Sequence, residues 1–289
     1  MVKTALVTGC SSGIGHELAI EFAKRGYIVF ACSRDASKMH DLRDNYGDKI
    51  HTFSMDVSSL ESINAGYAFV SDTLATLGES GIDVLYNNAG SSCTFPGIDV
   101  PDDALEQCLA TNFAGPVRLV HAFSRLVIAR KDTIAFTGSA GGYCPFPWGS
   151  VYGASKAAIG QYARVLAFEL EPFDVAVKHF ITGGVRTNIA DTRPLPESSV
   201  YNVPAMREAF EERQKFAERN KPMEPNVYAE RAVDAIENGR RSVVDVYLGT
   251  WSILPRIVAV VPRWLILFIF RRKFHLLAVW DALRAKKRE

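Results

Sequence analysis

Seven short apolar runs recur along the chain, at 5–8, 28–31, 51–55, 84–86, 133–137, 175–180 and 245–248. Most are continuously apolar, the pattern of strands buried on both faces. Between them, apolar positions return every three to four residues near 13–25, 36–45, 59–77, 102–130, 151–171 and 226–238. That is the period of helices with one covered face. Strand and helix therefore alternate. The pattern predicts an α/β fold, a doubly wound parallel seven-stranded sheet flanked by helices. Gly26 is placed to end the first helix, and Asp35 to cap the second. The segment 188–225 breaks the rhythm, with five prolines around a charged helix expected at 205–221. An interruption of that kind reads as a lid over a site, with a solvated surface insertion as the plain alternative. No repeat or low-complexity linker intervenes. Residues 1–250 are read as one domain and 251–289 as an extension.

Composition narrows the class. With 289 residues, 48% hydrophobic and 22% charged, the chain is not a disordered, collagen-like or disulfide-built one. Lys and Arg total 33 against 32 Asp and Glu. The near-zero balance gives no global argument for nucleic acid as a partner. It conceals an asymmetry: residues 251–289 hold nine Lys/Arg and two Asp/Glu, leaving 24 against 30 in residues 1–250. The basic extension is also apolar, fifteen of twenty residues at 251–270. Pro255, Arg256, Pro262 and Arg263 cut that run into pieces shorter than the about 20 residues that span a bilayer. Apolar pieces edged by Trp and by Arg271, Arg272, Lys273, Lys286, Lys287 and Arg288 suit an interfacial anchor on anionic lipid. The alternative is a tail packed over the substrate pocket or against a partner, so peripheral membrane contact and a homodimer both stay open. Five cysteines, an odd number without a C-x-x-C pair, argue against a disulfide framework and a metal site. No basic stretch followed by an apolar core opens the chain. The domain is expected on the cytoplasmic side, with the anchor reading placing it at the endoplasmic reticulum or a lipid droplet.

The chemistry starts where the first strand ends, in Thr8-Gly9-Cys10-Ser11-Ser12-Gly13-Ile14-Gly15. Gly9 allows a tight turn, Gly13 lets backbone approach a pyrophosphate, and Gly15 permits close helix–strand packing. The helix that follows offers free N–H groups and a positive dipole end to phosphates. The second strand ends in Ser33-Arg34 rather than in an acidic residue. Arg accommodates a 2′-phosphate, so the pattern favours NADPH over NADH. Tyr152 and Lys156 are four apart on a predicted helix and share a face. A nearby cation makes a phenolate easier to form, and Ser139 can polarise a substrate oxygen.

Six motifs in order resemble the short-chain dehydrogenase/reductase family over about residues 1–250. They are the glycine turn, Asp56-Val57, Asn87-Asn88-Ala89-Gly90, Asn112, Ser139 and Tyr152-x-x-x-Lys156. The resemblance implies a Rossmann-type fold and roles for these positions. Ser139, Tyr152, Lys156 and Asn112 would be catalytic, Asn112 holding a water that links Lys156 to solvent. Lys156 and Tyr152 would also meet the nicotinamide ribose. Asp56 and Val57 would hold adenine, and Asn88, Ala89 and Gly90 the adenine ribose side. A helix cap is the plain alternative for Asp56, with Ser58 competing for that role. Val185 and Thr187 would serve the carboxamide and pyrophosphate, with Arg118 a weaker candidate. Gly183 stands where the family has Pro, which implies a looser turn. The aromatic loop after Ser139 suggests a bulky apolar substrate, with loop packing as the alternative.

The chain is similar to the fungal acyl-dihydroxyacetone-phosphate reductase-like branch of that family. The implied reaction is hydride transfer from NADPH to the ketone of an apolar or lipid-like small molecule, with Tyr152 as proton donor. A steroid, retinoid or polyketide carbonyl is the enzymatic alternative. A non-catalytic membrane-tethered NADPH-binding protein is the alternative of another class, and the intact Ser139, Tyr152 and Lys156 argue against it.

Overall fold

The apolar runs form a single sheet because each is buried on both faces. The computed structural model describes residues 2–242 and 244–287. The strands are β1 (Thr4–Thr8), β2 (Ile28–Ser33), β3 (Ile50–Ser54), β4 (Val84–Asn87), β5 (Thr133–Thr137), β6 (Ala176–Thr182) and β7 (Asp245–Leu248). They pair in parallel in the order β3-β2-β1-β4-β5-β6-β7. The order reverses between β1 and β4, so a crevice opens at the carboxyl ends of those strands.

The helices are α1 (Gly13–Lys24), α2 (His40–Tyr46), α3 (Leu60–Leu77), α4 (Asp102–Leu109), α5 (Gly115–Arg130), α6 (Ser150–Leu170), α7 (Pro204–Gln214), α8 (Phe216–Arg219), α9 (Pro225–Glu237), α10 (Leu254–Val260), α11 (Arg263–Lys273) and α12 (Leu276–Lys286). One core lies under α1 and α9, around Leu18, Phe22, Tyr86 and Val233. The other lies under α3, α5 and α6, around Ile63, Leu85, Phe123 and Ile159. Gly26, at φ 85°, ends α1 beyond its Arg25 cap. Asp35 accepts from the Ser37 N–H, and a 3₁₀ turn, Ala36–Met39, precedes α2.

Two helix expectations change in form. The 102–130 pattern is interrupted by a π turn, Ala110–Ala114. The charged helix expected at 205–221 starts at Pro204, whose fixed φ suits a first helical position, and breaks at Lys215. Beyond the break, Phe216 turns onto Phe146 and Phe274, ring centroids 5.5 and 5.1 Å away. The extension is folded onto the body: Val279 and Trp280 of α12 pack with Val203, Met206 and Phe210 of the lid. Among the described residues no helix is long and apolar enough to cross a membrane.

Candidate active site

The glycine turn closes against two other loops, and only residues without a Cβ fit there. A Cβ on Gly15 would stand 2.3 Å from the Gly9 carbonyl oxygen and 2.5 Å from Asn88 Nδ2. Gly9 and Gly13 have φ of 74° and 59°, and their missing Cβ positions lie against Ala89 and Thr187. Ser12 caps α1 by backbone alone, and no acidic side chain stands in the first turn. The first-turn amides therefore face outward with the positive end of the dipole. Ser11 is half-exposed beside them, while Ile14 is packed against the core.

The neighbouring side chains hold the loops of this turn to one another. Thr8 is buried, and its Oγ1 accepts from the N–H groups of Asn88 and Ala89, both at 3.0 Å. Asn88 Nδ2 donates to the Thr8 carbonyl at 2.9 Å, and Asn88 Oδ1 accepts from Thr137 Oγ1 at 3.1 Å. These two side chains bind the ends of β1, β4 and β5 together. Ser33 is also turned inward, its hydroxyl donating to the Asp35 carbonyl. Arg34 is exposed at the strand end, and among the described residues it forms no ion pair. Asp35 does not compete, because its carboxylate is taken by Ser37.

Asp56 Oδ1 accepts from the N–H and hydroxyl of Ser58, while Ser59, not Asp56 or Ser58, caps α3. Val57 is buried against Gly115, where a Cβ would meet its carbonyl at 2.6 Å. Arg118 donates to the Ser58 carbonyl at 2.9 Å and so steadies this turn.

The candidate catalytic side chains lie around two glycines, Lys156 and Asn112 beside Gly90 and Ser139 and Tyr152 beside Gly141. Tyr152 and Lys156 share a face of α6, and Lys156 Nζ lies 6.0 Å from the Tyr152 ring centroid. Lys156 is buried and donates to the Thr137 carbonyl at 2.8 Å. Burial pulls its ammonium down to about 8. Burial also raises Tyr152, and the Ser139 hydroxyl beside it and the Arg213 charge oppose that rise. Ser139 Oγ accepts from the Gly141 N–H at 3.0 Å, which directs its own hydrogen toward the Tyr152 side. The Cβ that Gly141 lacks would stand 3.2 Å from Ser139 Oγ and 3.3 Å from Tyr152 Cε1, so both side chains border one small space.

Asn112 sits in the π turn, a local widening common at functional sites. Its Oδ1 accepts from the Ser91 N–H at 2.8 Å. Its Nδ2 donates to the Ser91 carbonyl and to Ser155 Oγ. The amide thus ties the Gly90 loop to α6. Asn112 Oδ1 and Lys156 Nζ both border Gly90, 3.4 and 3.5 Å from where a Cβ would stand.

Gly183 does not loosen its turn. Its N–H donates to the Leu248 carbonyl at 2.8 Å, and a Cβ there would stand 2.1 Å from the Thr250 carbonyl oxygen. Gly184 exchanges hydrogen bonds with Thr250, which locks the turn to the chain after β7. A further bridge to Met223 uses the backbones of Gly184 and Arg186, so the Val185 N–H and C=O are not part of it.

The aromatic loop also differs. Phe146 stacks on Phe270 at 5.4 Å and meets Phe216 and Phe274, and Trp148 meets Tyr201. These rings seat the lid and the extension, and Phe146 also lines a cavity that reaches Gly141. Two residues escaped sequence reasoning. Asp191 is buried, accepts from the Thr94 N–H at 2.8 Å and pairs with Arg193, pinning the start of the lid beside a cavity of about 350 Å³ at Gly90 and Ser91. Arg213 on α7 donates to the Pro147 carbonyl at 3.0 Å close to Tyr152. Nothing in the local sequence marks either one.

Residues 3–197 match the family model described as short chain dehydrogenase. The chain is 46% identical over 288 residues, covering 99% of this chain and 96% of the relative, to a Saccharomyces cerevisiae protein named NADPH-dependent 1-acyldihydroxyacetone phosphate reductase. It is 33% identical over 234 residues, 81% of this chain and 76% of the relative, to the Schizosaccharomyces pombe protein of the same name. Among solved structures it is similar to a short-chain dehydrogenase from Streptomyces avermitilis, with a TM-score of 0.75, 28% identity, and coverage of 88% and 90% of the two chains.

Proposed function

The chain belongs to the short-chain dehydrogenase family, and from that premise we propose that it reduces the ketone of an acyl-dihydroxyacetone phosphate, with Tyr152 as proton donor. It is an NADP-dependent oxidoreductase. The observation that carries the fuller reading is that Ser139, Tyr152 and Lys156 meet at the carboxyl ends of the strands, next to the glycine turn. The likeness to the yeast reductase over nearly the whole chain, extension included, supports the substrate.

The residues present fit NADPH. The glycine turn keeps clear the space that Cβ atoms would fill, the start of α1 lacks a side-chain cap, and the Arg34 guanidinium is exposed and has no carboxylate partner among the described residues. The α1 amides would hold the pyrophosphate, Arg34 the 2′-phosphate, Asp56 Oδ2 the adenine, and Lys156 the nicotinamide ribose. When bound, NADPH supplies the hydride for the carbonyl carbon. The Tyr152 hydroxyl gives its proton to the carbonyl oxygen, and burial keeps that hydroxyl protonated near neutral pH. Ser139, accepting from Gly141, turns its hydroxyl hydrogen to the same oxygen when substrate is bound. The Lys156 ammonium lowers the cost of the tyrosinate left behind.

The experiment is a ketone panel with purified protein, following NADPH consumption. Acyl-dihydroxyacetone phosphate is expected to give the highest kcat/KM. A steroid or polyketide ketone reduced more efficiently would overturn the substrate.

The extension presents a second face. Trp251, Ile253, Ile257, Val260, Trp264 and Phe268 are exposed, with Arg256 and Arg263 among them. This face suits the anionic cytoplasmic surface of an endoplasmic-reticulum or lipid-droplet membrane, where an acylated substrate resides. Trp264→Ser with Val260→Ser should release the protein from anionic liposomes; full retention would sink that reading. Phe168, 77% exposed on α6, offers a face for a second copy. Light scattering of the purified chain tests that: a monomer at every concentration would refute it.

A further inference from the structure

Among the described residues, the other partly buried arginines have carboxylate partners: Arg25 with Glu21, Arg130 with Glu79 and Asp83, Arg164 with Asp245. Arg213 is the exception. It stands in the last turn of α7, half-buried, and no carboxylate among the described residues pairs with it. Its Nε donates to the Pro147 carbonyl, and its guanidinium lies 5.5 Å from the Phe146 ring centroid. Nη2 approaches Gly149 so closely that a Cβ there would stand 3.0 Å away. Gly149 immediately precedes α6 and lies three residues before Tyr152. The guanidinium also acts electrically on Tyr152, drawing its hydroxyl downward, while burial lowers Arg213 itself to about 10. A cation taken partly out of water without a counter-ion is costly, and the cost is recovered when an anion arrives. In a phosphorylated dihydroxyacetone only three bonds separate the ketone carbon from phosphorus. An anion receptor for that substrate must therefore stand close to the proton donor, and guanidinium is suited to two-pronged binding of phosphate.

We propose that Arg213 is the residue through which the lid recognises the phosphate ester of the ketone substrate. The inference rests on the acyl-dihydroxyacetone phosphate reading above, and it adds a specificity-determining residue to that site. The test compares acyl-dihydroxyacetone phosphate with the same acylated ketone lacking phosphate, in the full-length enzyme and in Arg213→Gln, which keeps a donor for the Pro147 carbonyl. Wild type should favour the phosphorylated ketone in kcat/KM. The Gln variant should lose about ten- to hundredfold of that preference, mainly through KM. Arg213→Lys should keep part of it, and serves as the comparison should the Gln variant fold poorly. A wild-type preference that survives in both variants overturns the role of Arg213 and leaves the substrate reading standing. No wild-type preference overturns both. Equal loss on both ketones places the effect at Tyr152 or the loop and overturns the inference.

Discussion

The glycine-turn end of the sheet and the C-terminal extension are held by different physics. At the turn, specificity comes from closeness: Gly9, Gly13 and Gly15 let three loops meet where a single Cβ would collide. Hydrogen bonds from Thr8, Asn88 and Asn112 then fix those loops. The extension has few such bonds and is held by apolar contact, through Phe270, Phe274 and Val279 against Phe146, Phe216 and Met206. Its other face is left apolar and basic. A region built on close approach tolerates almost no change, whereas one built on apolar area tolerates substitutions that keep volume.

The largest effect expected is at the chemistry. Tyr152→Phe should lower kcat/KM by about 10²- to 10⁴-fold while NADPH still binds, measured by steady-state kinetics and fluorescence titration. Phe274→Ala should cost about 3–5 kcal/mol in urea unfolding, because the ring is fully buried among three others. A cost no larger than that of a surface change would show that the extension is not packed, and the contrast would collapse. Gly183→Pro, which installs the residue usual in the family, should destabilise by about 2–4 kcal/mol. It removes the N–H bonded to Leu248 and drives side-chain atoms into Thr250. A neutral or stabilising outcome by thermal unfolding would contradict the locked turn. Arg34→Ala should weaken NADPH by about 1.5–3 kcal/mol with NADH little affected, by calorimetry.

The smallest effect is the pH profile. Lys156, pulled down to about 8 by burial, loses its proton in the free enzyme as pH rises through that value. Ketone reduction, read as kcat/KM, should fall about tenfold per unit above it. The sign for stability is opposite. The unfolded chain keeps the lysine proton to higher pH, so the fold gains stability between about 8 and the ordinary lysine value.

What could be read from the sequence follows the same division. The Tyr152–Lys156 spacing, the glycine turn and the strand-ending Ser139 are local, so residue type and interval disclose them. The uses of Thr8, Asn88 and Asn112 are not local, because their partners come from neighbouring strands and from the Ser91 loop. Gly183 reads locally as a lost proline, and its reason, the Thr250 carbonyl beside it, lies far along the chain. The break at Lys215, the aromatic cluster at Phe146 and the unpaired Arg213 likewise arise only when lid, loop and extension pack together. The apolar extension was ambiguous for a physical reason: its two faces do different things, and periodicity alone does not say which face meets protein.

The most direct measurement uses NADPH deuterated at the transferable position with acyl-dihydroxyacetone phosphate, following the label by mass spectrometry. Wild type should place deuterium on the former ketone carbon, and Tyr152→Phe should do so at least a hundredfold more slowly, on the order expected for loss of a general acid. Label transfer at equal rates in the two proteins, or none in wild type with any ketone, would contradict a reductase in which Tyr152 delivers the proton.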